Sequence, residues 1–155
     1  MTRAIREVSR QDVSQIAAIE RASFPRPWDE DIFRILGSWR GRVRTQGGKT
    51  VYMYVIEDDG ALAGYVVWQE DAQLAEGHLL NIAIQPQNRR KGMGRELLNH
   101  ALEKMRKHMM TLCRLEVREG NKPAQALYAQ AGMLIQSHQH GYYEDEDALI
   151  FSLKL

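Results

Sequence analysis

Apolar positions recur with two different periods along the chain and predict both strands and helices. Residues Ala4 to Ser9 alternate as a short strand, and apolar side chains at helical spacing follow from Ser9, a candidate N-cap, as far as Ser23. Two prolines within Phe24 to Trp28 end this helix, and acidic residues open a second one over Asp29 to Trp39. The basic, glycine-containing segment Arg40 to Thr50 is predicted as a loop.

The middle of the chain predicts three strands and a long helix. Two β-rich runs between Val51 and Asp71 flank Asp58-Asp59-Gly60, a sequence that favours a hairpin turn. The mostly apolar run Gly77 to Gln85 is predicted as a central strand. After Gly94 a helix presents one apolar face, which carries Leu97, Leu98, Ala101, Leu102 and Met105.

The last third predicts three more strands and one compact helix. Residues Thr111 to Arg118 form the first of these strands, and the tail forms two more around Gly141 to Asp145. Between them, Asn121 is the predicted N-cap of a helix that ends just before Gly132. This order predicts an α/β fold in which a mixed central sheet of about seven strands is flanked by about four helices. Residues 1–155 are expected to form a single domain.

Composition restricts the classes of function. Hydrophobic residues make up 44% of the chain, and its formal net charge is +1. This balance argues against a general nucleic-acid or membrane-surface binder, so we expect neither partner. The single cysteine, Cys113, excludes an intramolecular disulfide and a cysteine-rich zinc site. The N-terminus has no apolar signal segment, and we expect a cytoplasmic protein.

Three consecutive cations precede two glycines and a helix, a pattern that predicts an anion site. The segment Arg89 to Gly94 follows the predicted central strand, and Arg95 adds a further charge. Unpaired N–H groups and the helix dipole favour phosphate at such a helix start, and glycine allows close approach. The spacing fits neither a Walker A loop nor the Rossmann fingerprint. A solvated basic loop that caps the helix is the alternative.

The segment RRKGMG matches the R/Q-x-x-G-x-G/A signature of the GNAT family of N-acetyltransferases. Three further segments resemble, in order, the protein N-terminal acetyltransferases of that family: LLNIAIQPQNRRKGMGRELL, LEVREGNKPAQALYAQAG and YYEDEDALIFSL. IERASFPRPWDEDIF resembles their first helices. Within the family, the bacterial ribosomal-protein alanine acetyltransferases and the archaeal N-terminal acetyltransferases are the most similar branches. The resemblance spans nearly the whole chain except the loop from Gly37 to Thr50.

The resemblance implies the GNAT fold and acetyl-coenzyme A (acetyl-CoA) as co-substrate. In this family the strand before the signature separates from its neighbour, and the pantetheine arm of the cofactor pairs with it. The implied cofactor-binding residues are Ile82, Ala83, Ile84, Arg89, Arg90, Lys91, Gly92, Met93, Gly94, Arg95 and Asn121. Helix capping is an alternative role for Asn121.

The resemblance also assigns two catalytic residues. Glu116 corresponds to the carboxylate that deprotonates the acceptor amine through water, and Tyr128 to the proton donor for the coenzyme A sulfur. Charge pairing of Glu116 with Arg114 and Arg118 and packing of Tyr128 against the sheet are the alternatives. Direct transfer is expected, because Cys113 lies in an apolar run without an obvious base.

On the acceptor side, the resemblance implies a groove between two segments. Phe24 and Trp28 would form one wall, and Tyr142 and Tyr143 the other. The acids of the segment 144–147 would attract a cationic N-terminus. The five histidines show no metal-ligand spacing, so no metal site is predicted and His138 and His140 are expected at the surface. His78 or His138 could assist as a base.

Together these features predict acetyl transfer from acetyl-CoA to the N-terminal α-amine of a protein or peptide. Met133 replaces the usual phenylalanine of the family, and the tail is closer to the archaeal ending, which weakens a narrow ribosomal-protein assignment. A lysine side chain, a polyamine or another small amine is the alternative acceptor. A non-catalytic acyl-CoA-binding module is the alternative of another class. The sequence leaves the acceptor and the oligomeric state open.

Overall fold

The computed structural model describes residues 2–155 as one mixed sheet with helices on both faces. Its strands are β1 Arg3–Glu7, β2 Arg42–Arg44, β3 Lys49–Asp58, β4 Ala61–Asp71, β5 Glu76–Ile84, β6 Leu112–Arg118, β7 Leu134–Tyr143 and β8 Glu146–Lys154. Its α-helices are α1 Val13–Ser23, α2 Glu30–Ser38, α3 Met93–Lys107 and α4 Lys122–Gln130. The predicted α/β class is confirmed, with eight strands in the sheet.

The strands lie in the order β1-β3-β4-β5-β6-β8-β7, and β2 pairs with β3 outside this path. Every neighbouring pair is antiparallel except β5 and β6, which run parallel. A parallel pair needs a crossover connection, and α3 provides it between these two strands. The parallel pair lies in the middle of the sheet. Because β5 and β6 run parallel, their carboxyl ends lie at the same edge of the sheet.

Local sequence explains several element boundaries. Asp59 and Gly60 have positive φ angles of 51° and 82°, as a tight hairpin turn requires. The Asn121 side chain accepts a hydrogen bond from the backbone N–H of Ala124 at 3.2 Å, which confirms the predicted cap of α4. Gly132 has a φ of 92° just beyond that helix. These turn and cap residues lie at the positions that were predicted from the sequence.

Two predicted boundaries are wrong. The segment Arg40 to Thr50 is not entirely a loop, because it contains β2 and the start of β3. Val43 pairs opposite Val51 and packs against the core beneath α1 and α2. The first α-helix begins at Val13 rather than at Ser9, since a single 3-10 turn precedes it.

The sheet separates two hydrophobic cores. The larger core lies under α3 and α4 and includes Trp68 and Leu97, and the smaller lies under α1 and α2 and includes Phe33. In β5 the pairing with β4 shifts by one residue at Leu80, so that Leu79 and Ile82, which strict alternation would place on opposite faces, both pack in the first core. Among residues 2–155, no helix is both long and apolar enough to cross a membrane.

Candidate active site

A cleft opens where β5 and β6 separate. The two strands pair over only three positions, from Glu76 with Leu112 to His78 with Arg114. Beyond His78 the backbone of β5 bonds to β4 but no longer to β6. The resulting cleft has a volume of about 990 Å³ and is bounded by β5, the start of α3, β6 and α4. The separation that the family resemblance implies for residues 82–84 is therefore present.

The loop before α3 shapes one end of this cleft. Gly92 has a φ of 85°, and Arg90 adopts a φ of 65°, which is uncommon for a residue with a side chain. The first N–H groups of α3 have no partner within the helix, and Glu96 is the first to bond back, to the Gly92 carbonyl. This loop offers backbone donors and a positive dipole end to an anion.

Most of the predicted cofactor residues line the cleft together. They are Ile82, Ala83, Ile84, Arg89, Arg90, Gly92, Met93, Gly94, Arg95 and Asn121. Lys91 is exposed and does not line it, and its carbonyl accepts a hydrogen bond from Arg3 at 2.8 Å. The arrangement fits an extended ligand with a phosphate at one end, because the strand edge is mostly apolar and the loop is cationic.

Two of the predicted arginines also bond to neighbouring elements. Arg89 donates to the Ile84 carbonyl at 3.0 Å and to the Ser23 hydroxyl at 3.1 Å, which ties the loop to the end of α1. Arg95 donates to the side-chain oxygen of Gln130 on α4. Arg90 has no side-chain hydrogen bond or ion pair within residues 2–155. Among the loop cations that line the cleft, Arg90 is therefore the one with most freedom to meet a ligand.

Glu116 lies on the wall of the cleft in a network of polar side chains. His78 Nε2 lies 2.7 Å from Glu116 Oε1, and Arg114 donates to Oε2 at 3.1 Å. The Tyr142 hydroxyl donates to Oε1 at 3.4 Å. Burial raises the pKa of Glu116, but the hydrogen bond from His78 and the nearby charges outweigh it and hold the pKa below its usual range. Glu116 is therefore ionised at neutral pH.

Tyr128 and Cys113 are both buried on the face of β6 that lies opposite Glu116. Tyr128 lines the cleft, and its ring packs against Phe151 with the ring centroids 5.8 Å apart. Burial raises the pKa of Tyr128, and Tyr143 and Cys113 raise it further. Burial also raises the pKa of Cys113 to about 12. A thiol that stays protonated is a poor nucleophile, which supports direct transfer.

The Phe24 to Trp28 segment forms another wall of the cleft. Trp28 stacks on Phe33 with the ring centroids 5.6 Å apart. Its backbone N–H donates to the buried carboxylate of Glu20 at 2.9 Å. Glu20 is a functional candidate that sequence analysis missed, because its position looks like an ordinary helix residue.

Glu20 is held by two other buried side chains. The Tyr65 hydroxyl donates to its carboxylate, and Asn81 Nδ2 donates to Oε1 at 2.8 Å. Burial, followed by the bond to Glu20, raises the pKa of Tyr65. These bonds join α1 to β4 and β5, and they fix the Trp28 turn over the cleft.

The β7–β8 hairpin supplies the tyrosines that were predicted at the acceptor groove. Tyr143 lines the cleft beneath the Arg118 guanidinium, 4.3 Å from its ring centroid. Tyr142 is exposed and does not line the cleft, although its hydroxyl reaches Glu116. The two rings meet edge to face at 5.0 Å.

Three of the four acids of this hairpin are paired with arginines. Glu144 bonds to Arg26 at 2.9 Å, which bridges the hairpin to the Phe24 to Trp28 wall. Asp145 and Glu146 contact Arg118 at 2.8 and 3.3 Å. The expectation that segment 144–147 attracts a cationic N-terminus is weakened in part, since two arginines compensate part of the charge of its four carboxylates.

Comparison with known proteins identifies the family. Residues 13–133 match the acetyltransferase (GNAT) family. The chain belongs to this family. A Bacillus subtilis protein, provisionally named as a ribosomal protein bS18-alanine N-acetyltransferase, is 36% identical over 95% of this chain and 92% of its own length.

Two further relatives extend this similarity. The crystal structure of the ribosomal-protein-S18-alanine N-acetyltransferase from Escherichia coli has a TM-score of 0.80 and 28% identity, and the alignment covers 99% of this chain and 94% of that one. An N-alpha-acetyltransferase of Sulfurisphaera tokodaii is 29% identical over 97% of this chain and 92% of its length. The predicted GNAT fold and acetyltransferase class are therefore confirmed, and acetyl-CoA is the co-substrate of this family.

Proposed function

We propose that this acetyltransferase modifies the N-terminal α-amine of a protein, and that a ribosomal protein S18 with an N-terminal alanine is the first acceptor to test. Two of the relatives carry that activity in their names, and the archaeal relative is named for α-amine acetylation in general. The proposal treats residues 1–155 as one acetyltransferase domain. A ribosomal-protein acceptor would also place the enzyme in the cytoplasm.

The observation that carries the proposal is the position of Glu116. Its side chain borders the same cleft as the anion-binding loop at Arg90 and the aromatic wall at Trp28. An amine that enters past Trp28 would share the cleft with the ionised carboxylate of Glu116 and the edge of β5. Acetyl-CoA supplies an activated acetyl thioester, and the residues of the chain bind it, orient it and accept the proton of the amine.

The electrostatics of Glu116 favour an α-amine over a lysine side chain. A carboxylate with a lowered pKa is a weak base, so it suits an ammonium group that loses its proton readily. An α-ammonium has a pKa of about 8, whereas a lysine ammonium has one of about 10.4. At neutral pH the neutral fraction of an α-amine is larger by about two orders of magnitude.

Tyr128 is proposed to assist departure of the coenzyme A thiolate by donating a hydrogen bond. Its raised pKa makes complete proton transfer to a thiolate unfavourable, because a thiol of pKa about 8.5 is the stronger acid. A buried hydroxyl that is aimed at developing negative charge still stabilises that charge. Asn121 caps α4 through Oδ1, so its amide Nδ2 can donate to a ligand in the cleft.

The test is thiol release from acetyl-CoA with a matched panel of acceptors. The peptides share one sequence and differ only in the first residue, which is alanine, serine, methionine or glycine. A lysine peptide with an acetylated α-amine and spermidine serve as controls. Mass spectrometry of each product locates the acetyl group on the α-amine or on a side chain.

Release with free α-amines alone is the expected result, and a strong preference for alanine would favour the ribosomal-protein acceptor. Release only with the lysine peptide or with spermidine would contradict the proposal and favour the alternative acceptors. Tight binding of acetyl-CoA without release on any acceptor would favour a binding module.

A further inference from the structure

Three potential metal ligands meet outside the cleft beside the β7–β8 hairpin, and His140 lies next to one of them. His138 Nε2 lies 3.0 Å from Asp147 Oδ2 and 3.7 Å from Glu119 Oε2. His140 Nδ1 lies 3.0 Å from the same oxygen of Asp147. The ligand atoms of Glu119, His138 and Asp147 all lie within 4.8 Å of one another. They come from three separate segments of the chain.

The spacing of these atoms is the spacing that one ion requires. Nitrogen and oxygen ligands lie about 2.0–2.2 Å from a zinc ion, so two ligands of a tetrahedral site lie roughly 3.3–3.6 Å apart. The separations of His138 from Asp147 and Glu119, 3.0 and 3.7 Å, bracket that value, so these three ligands can meet at one ion, and His140 would have to turn toward it. Glu119, His138 and His140 are at the surface, so an ion can enter from solvent.

The identity of the ligands points to a transition metal. One imidazole with two carboxylates, and a second imidazole next to Asp147, form a nitrogen and oxygen set that suits Zn²⁺, whereas Mg²⁺ and Ca²⁺ prefer oxygen ligands alone. His138 and His140 were expected at the surface because the spacing of the histidines with carboxylates in the sequence does not indicate a metal site. The fold supplies Asp147 across the hairpin and Glu119 from the loop after β6.

The backbone already orients the central ligand. The N–H of Gly141 donates to Asp147 Oδ1 at 2.7 Å, which leaves Oδ2 directed at the two histidines. A hydrogen bond to the second oxygen of a coordinating carboxylate is a common feature of metal sites. The N–H of Glu119 donates to the carbonyl of Asp147 at 3.0 Å, so these two ligands are also held in register.

We propose that Glu119, His138 and Asp147 form a surface site for Zn²⁺ that fastens the β7–β8 hairpin to the loop after β6, with the neighbouring His140 as a fourth ligand on binding. Asn121 follows Glu119 by two residues and lines the cleft. Tyr142 follows His140 by two residues and contacts Glu116. A bound ion would therefore connect two segments that border the cleft. The inference does not depend on which amine is acetylated.

The experiment titrates ZnCl₂ into untagged, chelator-treated protein by isothermal calorimetry. Co²⁺ absorption spectra serve as an independent report of the coordination. The test variants are Asp147→Asn and the pair His138→Gln with His140→Gln. Gln139→Ala is the matched control, because Gln139 lies between the two histidines, is exposed, and projects from the opposite face of the strand. Circular dichroism checks that each variant folds.

We expect one Zn²⁺ per chain, with binding weakened by at least about tenfold in both test variants and unchanged in the control. Zn²⁺ should also raise the melting temperature of the wild type and slow amide exchange in β7 and β8. Absence of a saturable zinc site in the wild type would overturn the proposal. Equal zinc binding by folded Asp147→Asn and wild-type protein would overturn it too.

Discussion

His78 Nε2 lies 2.7 Å from Glu116 Oε1. The contact lies where the pairing of β5 with β6 ends, because His78 is the last residue of β5 that pairs with β6. The two residues are 38 positions apart in the chain, and the parallel register of the strands brings them together. Arg114 holds the other carboxylate oxygen at 3.1 Å. The proposed base is thus fixed in orientation and kept ionised by its neighbours.

Replacement of His78 should change the pH dependence of the reaction. His78→Ala removes a hydrogen bond that lowers the pKa of Glu116, while burial continues to raise that pKa. Because the base acts only when ionised, the acid limb of the kcat/KM profile should move to higher pH. His78→Gln can still donate a hydrogen bond and should shift the limb less.

The profile should be measured with one alanine peptide for the wild type and both variants. His108→Gln is the matched control, because His108 also contacts a carboxylate, that of Glu70, and does not contact Glu116. An acid limb that stays in place in His78→Ala would contradict a role of His78 in tuning Glu116.

Glu116→Gln should abolish proton acceptance while it preserves the shape of the side chain. We expect kcat to fall by about 10²- to 10³-fold at pH 7, with unchanged binding of acetyl-CoA. The deficit should shrink as the pH rises beyond about 8, because the α-amine then loses its proton without help. Steady-state kinetics from pH 6 to 9 checks this, with the exposed Glu103→Gln on α3 as control. A deficit that stays constant with pH would show that Glu116 is not the base.

Tyr128→Phe should slow acetyl transfer by about 10- to 10²-fold without loss of acetyl-CoA affinity. The pKa of Tyr128 is raised by burial and by neighbouring Tyr143 and Cys113. Its deprotonation should therefore not limit the wild-type rate at any pH below about 10, the ordinary tyrosine value. A basic limb of the wild-type pH–rate profile well below that pH, if it is lost in Tyr128→Phe, would contradict a hydrogen-bonding role for a Tyr128 with a raised pKa. Calorimetry and pH–rate profiles give both measurements.

Local chemistry explains which parts of the fold were predictable. The positive φ angles at Asp59 and Gly60 and the cap at Asn121 depend on residues within a few positions, and both were predicted from sequence. Strand β2 was missed because its only partner, β3, begins after a glycine turn. Its three residues carry too little alternation to separate a strand from a loop.

The functional site, like the fold, was predictable only where it depends on residues that are close together in the sequence. The family signature identified the loop around Arg90, because a short motif of neighbouring residues can be read directly from a sequence. Glu20 was not visible, because its partners Tyr65 and Asn81 are 45 and 61 residues away. The contact of His78 with Glu116 and the cluster around Asp147 likewise depend on strand register, which a single sequence does not specify.

A final prediction concerns stability rather than catalysis. Asp12 is 5% exposed, and its two carboxylate oxygens each accept a hydrogen bond from Arg6 at 2.8 Å. The bonds from Arg6 join β1 to the turn before α1, and the Ser9 N–H donates to the same carboxylate at 2.8 Å. Asp12→Asn should lower the free energy of unfolding by about 1–3 kcal/mol at pH 7, because it breaks a charge-assisted pair. Asp31→Asn, with a side chain 71% exposed, should change it by less than about 0.5 kcal/mol.

The pH dependence of this loss of stability distinguishes the contribution of the Asp12 charge from the contribution of its side-chain packing. Burial raises the pKa of Asp12, but the bonds from Arg6 and Ser9 outweigh burial and leave that pKa below its ordinary value. Asp12 therefore stabilises the fold fully above the unfolded-state pKa of about 3.9, and the stabilisation is lost as the pH falls through the lower, folded-state pKa. The difference between wild type and Asp12→Asn should thus be constant from pH 7 to about 5 and shrink on further acidification. Urea denaturation at a series of pH values measures this difference, and a difference that persists unchanged at pH 2 would mean that the ion pair is not its source.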